Sequence, residues 1–221
     1  MSTSTADIAD EVQPPPHRVA VYVDGLNLYH GLKSRGWRRY YWLNLRQLAE
    51  HLLRPGQSLA MVRYFTARFL PRSDDPDQPL RQDTYLKALE NLPDLTIQHG
   101  YHLPKTGTCR RCGATWATFE EKMTDVNIAV ALLHDATRGA FDTAIVISAD
   151  SDLIGPIDTV LHSYPGKRVV VAFPPNRHSE QLRHQATAAF RLGRRIIADS
   201  QFPTQVIDAN GFSLRKPARW N

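Results

Sequence analysis

The chain has 221 residues, 42% hydrophobic and 22% charged, a balance that suits one sizeable folded domain and excludes a wholly disordered chain. No apolar run approaches the roughly 18 residues that a membrane-spanning helix needs, so no membrane association is expected. The formal net charge of +5 is compatible with a polyanionic partner, because basic surfaces attract phosphate backbones.

Residues 1–17 are expected to form a disordered leader. They are polar and acidic, run into Pro14-Pro15-Pro16, and lack the basic start and apolar middle of a signal peptide, which points to a cytoplasmic protein. Val19-Ala20-Val21-Tyr22-Val23 is a short apolar run ending on Asp24 and reads as a strand over 18–23, followed by a turn and a helix from about 26. Residues 45–53 have helical spacing and stop at Pro55-Gly56, residues 60–69 predict a second strand, and 71–79 a loop rich in Asp and Pro. A helix over 80–92 and a third strand over 95–99 follow.

Residues 100–118 lose periodicity and carry both cysteines, so they are expected to lie outside the sheet as an insertion. The alternation then resumes, with a helix over 120–137, a strand over 143–148, a helix over 152–162 and a strand over 168–173. Residues 179–192 predict a last helix, 194–198 a last short strand, and 199–221 a C-terminal tail. Strand and helix in alternation argue for an α/β domain over 18–198, with a mainly parallel central sheet flanked by helices and right-handed crossovers.

Apolar strands buried on both faces place their ligands outside the strand C-termini. Asp24 follows the first strand there, and Ile147-Ser148-Ala149-Asp150-Ser151-Asp152 follows a later one. Asp125 opens the helical run between them, with Lys122 one predicted turn before it. Each acid alone has a structural reading, as a helix cap or a turn residue. Together at one sheet edge they would repel unless a divalent cation neutralised them. Oxygen ligands without His or Cys select Mg²⁺ or Mn²⁺ over Zn²⁺, and such ions handle phosphate oxygens.

At this point four segments resemble the NYN domains, a branch of the PIN-like ribonuclease superfamily that includes bacterial LabA-like proteins. They are Val21-Tyr22-Val23-Asp24-Gly25-Leu26-Asn27-Leu28, Glu121-Lys122-Met123-Thr124-Asp125-Val126, Ile147-Ser148-Ala149-Asp150-Ser151-Asp152-Leu153 and Lys167-Arg168-Val169-Val170-Val171. The resemblance implies a Rossmann-like PIN core and metal-dependent cleavage of RNA, and the substrate expected for this chain is single-stranded RNA. By position it makes Asp24, Asp125 and Asp150 the central Mg²⁺ or Mn²⁺ ligands, with Asp152 as a fourth acid. Asn27 would hold Asp24 or a substrate phosphate, Lys122 would steady the scissile phosphate or pair with an acid, and Ser148 would orient the Asp150 carboxylate. Members often carry a small residue, commonly Gly, where this chain has Met123. The family also leaves room for a homodimer.

Cys109-Arg110-Arg111-Cys112-Gly113 is half of a zinc knuckle. His99 and His102 would complete a Cys₂His₂ site; a site shared between two chains and a pair of free thiols are the other readings. Arg35, Arg38 and Arg39 interleave with Trp37, Tyr40, Tyr41 and Trp42, a pattern that grips phosphates and stacks on bases or simply packs a loop on the core. A Toprim-like reading wants Glu where the chain has Asp24, and a phosphatase reading wants Asp-x-Asp on the first strand. The alternative from another class is a non-catalytic RNA-binding or regulatory scaffold of the same fold.

Overall fold

The computed structural model describes residues 16–71 and 73–221. Its centre is a six-stranded sheet in the order β3-β2-β1-β6-β7-β8, every neighbouring pair parallel. β1 (His17–Asp24), β2 (Gln57–Thr66) and β3 (Leu95–His99) build outward in one direction; β6 (Thr143–Ile147), β7 (Arg168–Phe173) and β8 (Ala188–Arg191) build outward in the other. The reversal falls between β1 and β6, which makes the crevice beyond their C-termini the topological switch point. The expected α/β fold with a mainly parallel sheet is thus present.

Alternation along β1 divides the core. Val19, Val21 and Val23 face one layer, where they meet Leu28 and Leu32 of α1 (Gly25–Ser34), Leu48 of α2 (Leu45–His51) and Leu86 of α3 (Gln78–Glu90). Ala20 and Tyr22 face the other, among Ile128 and Leu132 of α4 (Thr124–Thr137), Ile157 and Val160 of α5 (Ile154–Ser163) and Leu182 of α6 (Glu180–Gln185). The strand is buried throughout from Val19 to Val23, and burial of a Val or Leu side chain contributes about 1.5–3 kcal/mol.

One charged group is tied into the second layer. The Asp135 carboxylate of α4, 2% exposed, accepts from Arg63 Nε at 2.6 Å and Nη2 at 2.7 Å, and from the Tyr22 hydroxyl at 2.8 Å. Tyr22 and Arg63 are register partners on β1 and β2. This fork fixes how α4 lies across the sheet, and so where Asp125 at its other end stands. Burial first, then the Asp135 charge, pushes the Tyr22 hydroxyl pKa far up, so it remains a donor.

Several expected elements differ. Residues 101–122 are an ordered antiparallel hairpin, β4 (Tyr101–Thr108) and β5 (Thr115–Lys122), so α4 starts at Thr124 and not at 120. The helix expected over 179–192 stops at Gln185, where Ala186 turns extended, and β8 pairs with β7. Ala188 and Ala189 have little strand preference of their own; the open edge of β7 decides the matter. The strand expected at 194–198 is α7 (Arg194–Asp199). The expected tail carries a small hairpin, β9 (Gln205–Ile207) with β10 (Ser213–Arg215), and ends with Trp220 buried among Tyr41, Trp42 and Tyr85. The expected leader lies, up to residue 15, outside the described residues.

Candidate metal centre

Asp24 is the last residue of β1 and the N-cap of α1, with extended backbone (φ −72°, ψ 99°). Its Oδ1 accepts the Asn27 backbone N–H at 2.9 Å and its Oδ2 accepts the Ser148 hydroxyl at 2.8 Å. The cap and the acidic site are therefore one residue. Asp24 is 4% exposed, and burial, opposed by these two hydrogen bonds and reinforced by the charges of Asp125 and Asp150, raises its pKa to about 7.

Ser148, fully buried, lies immediately beyond β6, beside the end of β1. Its hydroxyl donates to Asp24 and accepts the Asp150 backbone N–H at 3.1 Å. The expectation that Ser148 orients the Asp150 carboxylate is corrected by this geometry: it orients Asp24. Asp150 caps the short turn Ser151–Leu153 by accepting the Asp152 N–H at 3.0 Å.

Asp125 stands in the first turn of α4. Burial first, then the charges of Asp150, Glu121 and Asp152, raises its pKa to about 6. The helix starts there because Met123 adopts the left-handed conformation (φ 82°, ψ −12°), which turns the chain from β5 into α4. That is a conformation glycine adopts without strain, which explains physically why a small residue suits the position. Glu121 then closes the helix end, its Oε1 accepting both the Thr124 N–H and the Thr124 hydroxyl. Gly100 makes room for this: a Cβ there would stand 2.5 Å from Glu121 Oε1 and 2.5 Å from the Lys122 carbonyl.

Asp24, Asp125 and Asp150 line one cavity of about 200 Å³, together with Asn27, Glu121 and Arg177. His30 borders it, its pKa lowered by burial and then by Arg177 and Lys33. Asn27 reaches Asp24 through its backbone N–H, and its side-chain Oδ1 is buried with no hydrogen-bond partner, an acceptor without a donor. Among the described residues no three His, Cys, Asp or Glu side chains close into a ready-made ligand shell. The donor set is nevertheless oxygen throughout, and the raised carboxylate pKa values and the unpartnered amide oxygen are what a hard cation or its waters would relieve. The residues present fit Mg²⁺ or Mn²⁺.

Other expected residues stand elsewhere. Asp152 is exposed and lies outside the cavity lining, acting on Asp125 through its charge. Lys122 belongs to β5, not to a helical turn with Asp125, and its Nζ pairs with Glu120 Oε1 at 2.8 Å. Cys109 and Cys112 share the hairpin tip, where the backbone N–H groups of Cys112 and Arg111 lower the Cys109 pKa. His102 sits opposite Glu121 at the hairpin base and His99 ends β3; at about 3.3 Å per strand residue, His102 is about 20 Å from the tip. The expected Cys₂His₂ set is not brought together. Trp42 is fully buried and Tyr41 nearly so, while Tyr40 takes Arg39 over its ring at 5.1 Å and Arg194 at 6.0 Å. Sequence reasoning missed Glu121, His30 and Arg177 as cavity residues. No local pattern marks the first, because Glu121 joins the cavity only through the turn from β5 into α4.

A second, larger cavity of about 250 Å³ lies on the other side of the α1 N-terminus; Leu26 borders both, and Gly25 lines it where a Cβ would meet the Tyr64 ring at 2.6 Å.

The family model for the NYN domain matches residues 18–193. The chain is 30% identical over 192 residues to the 6-hydroxy-3-succinoylpyridine 3-monooxygenase HspA of Pseudomonas putida (strain DSM 28022 / S16), covering 72% of this chain. The chain spans about 60% of the length of that relative. Among solved structures it is similar to a protein of unknown function, VPA0982, from Vibrio parahaemolyticus RIMD 2210633, with a TM-score of 0.51 and 17% identity, covering 81% of this chain and 95% of that one. That likeness concerns the fold alone. With a parallel sheet whose switch-point crevice gathers Asp24, Asp125 and Asp150, and a family match spanning the whole sheet, the chain belongs to the NYN domain family, within the PIN-like nuclease superfamily.

Proposed function

We propose that the protein is a ribonuclease dependent on Mg²⁺ or Mn²⁺ that hydrolyses phosphodiester bonds of single-stranded RNA. The observation that carries this reading is the convergence of Asp24, Asp125 and Asp150 from three separate elements on one cavity. These three, with Glu121 beside them, would hold the ion, and Asn27 Oδ1 offers it or its water a further acceptor. A bound ion would supply Lewis-acid activation of water and neutralise charge building on the phosphate. Ser148 keeps the Asp24 carboxylate aimed, since its hydroxyl is held by the Asp150 N–H on the other side. Arg177 brings the positive charge for a substrate phosphate, with His30 beside it in the lining. Lys122, already engaged with Glu120, serves as a partner for an acid on the hairpin.

The test is incubation of a mixed-sequence single-stranded RNA with Mn²⁺, with Mg²⁺ and with EDTA, beside the Asp150→Asn variant. Cleavage that needs the ion and is lost in a folded variant is the expected result. RNA bound but intact under every condition would replace this reading with the non-catalytic RNA-binding module. A second reading, oxidation of a small aromatic compound, follows from the name of the Pseudomonas relative and is favoured by the aromatic walls of the larger cavity. It predicts no RNA cleavage at all.

A further inference from the structure

The larger cavity has aromatic walls, Tyr41 buried and Tyr29 and Phe69 partly so. Tyr29 is packed between Tyr41, with ring centroids 5.0 Å apart, and Phe69, 4.9 Å away. Tyr41 meets Trp220 at 5.7 Å, so Trp220 closes one wall. Such surfaces favour a flat ring stacked offset or edge-on. Tyr41 lines the cavity and its hydroxyl has no hydrogen-bond partner among the described residues; burial, then the neighbouring Tyr29, pushes its pKa up to about 12, so it keeps its proton.

The rim has a different character. Lys33, Arg38, Arg81 and Arg219 line the cavity against Asp74 and Asp75. Asp75 is spoken for by Arg81 and Arg219, with contacts of 2.5 and 2.8 Å. Neither Lys33 nor Arg38 has a carboxylate partner among the described residues, and both are exposed at the solvent side of the apolar walls. The charge left over is positive.

Size then limits the occupant. A dry cavity of about 150 Å³ takes a benzene ring, so about 250 Å³ accommodates one six-membered ring with a short arm and is too small to enclose a purine nucleotide. We propose that this cavity binds a single-ring heteroaromatic compound carrying an anionic group on a short arm, the ring among Tyr29, Tyr41 and Phe69 and the anion at Lys33 and Arg38. This holds whichever reaction the acids serve. The ring is that of a free pyridine-type carboxylate or the base of a pyrimidine nucleotide whose sugar lies outside the enclosed space.

The experiment is calorimetric titration of the full chain in EDTA, so that metal binding at the acids plays no part. The probes are 3-(pyridin-3-yl)propionate, uridine 5′-monophosphate, and 3-ethylpyridine as the neutral ring. At least one anionic probe is expected to bind saturably and at least about tenfold tighter than the neutral ring, the worth of a hydrogen bond to a charged group. Arg38→Met should remove that tenfold preference and leave the neutral ring unchanged; Arg38 has no ion pair to lose, and the variant's melting curve verifies folding. Binding of the propionate alone identifies a free aromatic acid as the source, and binding of the nucleotide identifies a pyrimidine end. Saturation by neither at millimolar concentration, or equal affinities in wild type and Arg38→Met, overturns the proposal. Cleavage of RNA is untouched by that outcome, so the two readings fail separately.

Discussion

Replacing Asp24 with Asn should stabilise the metal-free protein at pH 8 and lose that advantage near pH 4. A carboxyl whose native pKa rises from the usual 3.8 to about 7 holds its proton in the folded chain while the unfolded chain releases it. Stability therefore falls as pH rises through the window from about 4 to 7, by about 4 kcal/mol at 1.36 kcal/mol per pKa unit, because the ionised Asp24 is nearly sealed from water. Asn carries no charge, but one of its two terminal atoms must donate where Asp24 accepts from Asn27 and Ser148, a loss of about 1 kcal/mol. The net gain at pH 8 is about 3 kcal/mol, or a rise in melting temperature of about 6–12 °C for a chain this long. At pH 4 the variant should be level with the wild type or slightly below it. Thermal melts of both proteins in EDTA at the two pH values measure this directly. A variant that melts at or below the wild type at pH 8 would refute the claim that Asp24 is held in a costly ionised state.

Three further outcomes are expected. Met123→Gly should raise the urea midpoint by the equivalent of about 1 kcal/mol, because it relieves a left-handed backbone at a side chain 41% exposed that contributes little packing. Asp135→Ala should cost about 2–4 kcal/mol in urea melts, since it leaves the buried Tyr22 hydroxyl and the partly buried Arg63 guanidinium without their acceptor. The double change Cys109→Ser with Cys112→Ser should shift urea stability by less than about 0.5 kcal/mol, as befits two thiols on an exposed hairpin tip, with or without added Zn²⁺.

What was legible in the sequence was whatever depends on short-range pattern. β3 and β7 run over the expected residues, and the acids after β1 and β6 sit where apolar runs give way to turn chemistry. The architecture followed from alternation alone. The hairpin over 101–122 was hidden because β4 is exposed along most of its length and no apolar period marks it. Its concealment led to the wrong pairing of Lys122 with Asp125: three residues apart is one turn in a helix, but here a left-handed residue intervenes. Glu121 was missed for the same reason. β8 depends on an edge presented by β7, a tertiary fact absent from residues 186–191 themselves. Ser148 was recognised as a positioning residue, but which carboxylate it serves depends on β1 and β6 lying side by side, and no local signal carries that adjacency.

The most direct measurement is calorimetric titration of Mn²⁺ into the wild type and Asp150→Asn at about pH 6.5, between the raised values of Asp125 and Asp24, in two buffers of different ionisation enthalpy. Carboxyls that hold protons in the empty site must surrender them to bind a cation. The account predicts saturable binding with proton release in the wild type, and both lost in the variant. No saturable heat, or binding that releases no protons and survives Asp150→Asn, would contradict it.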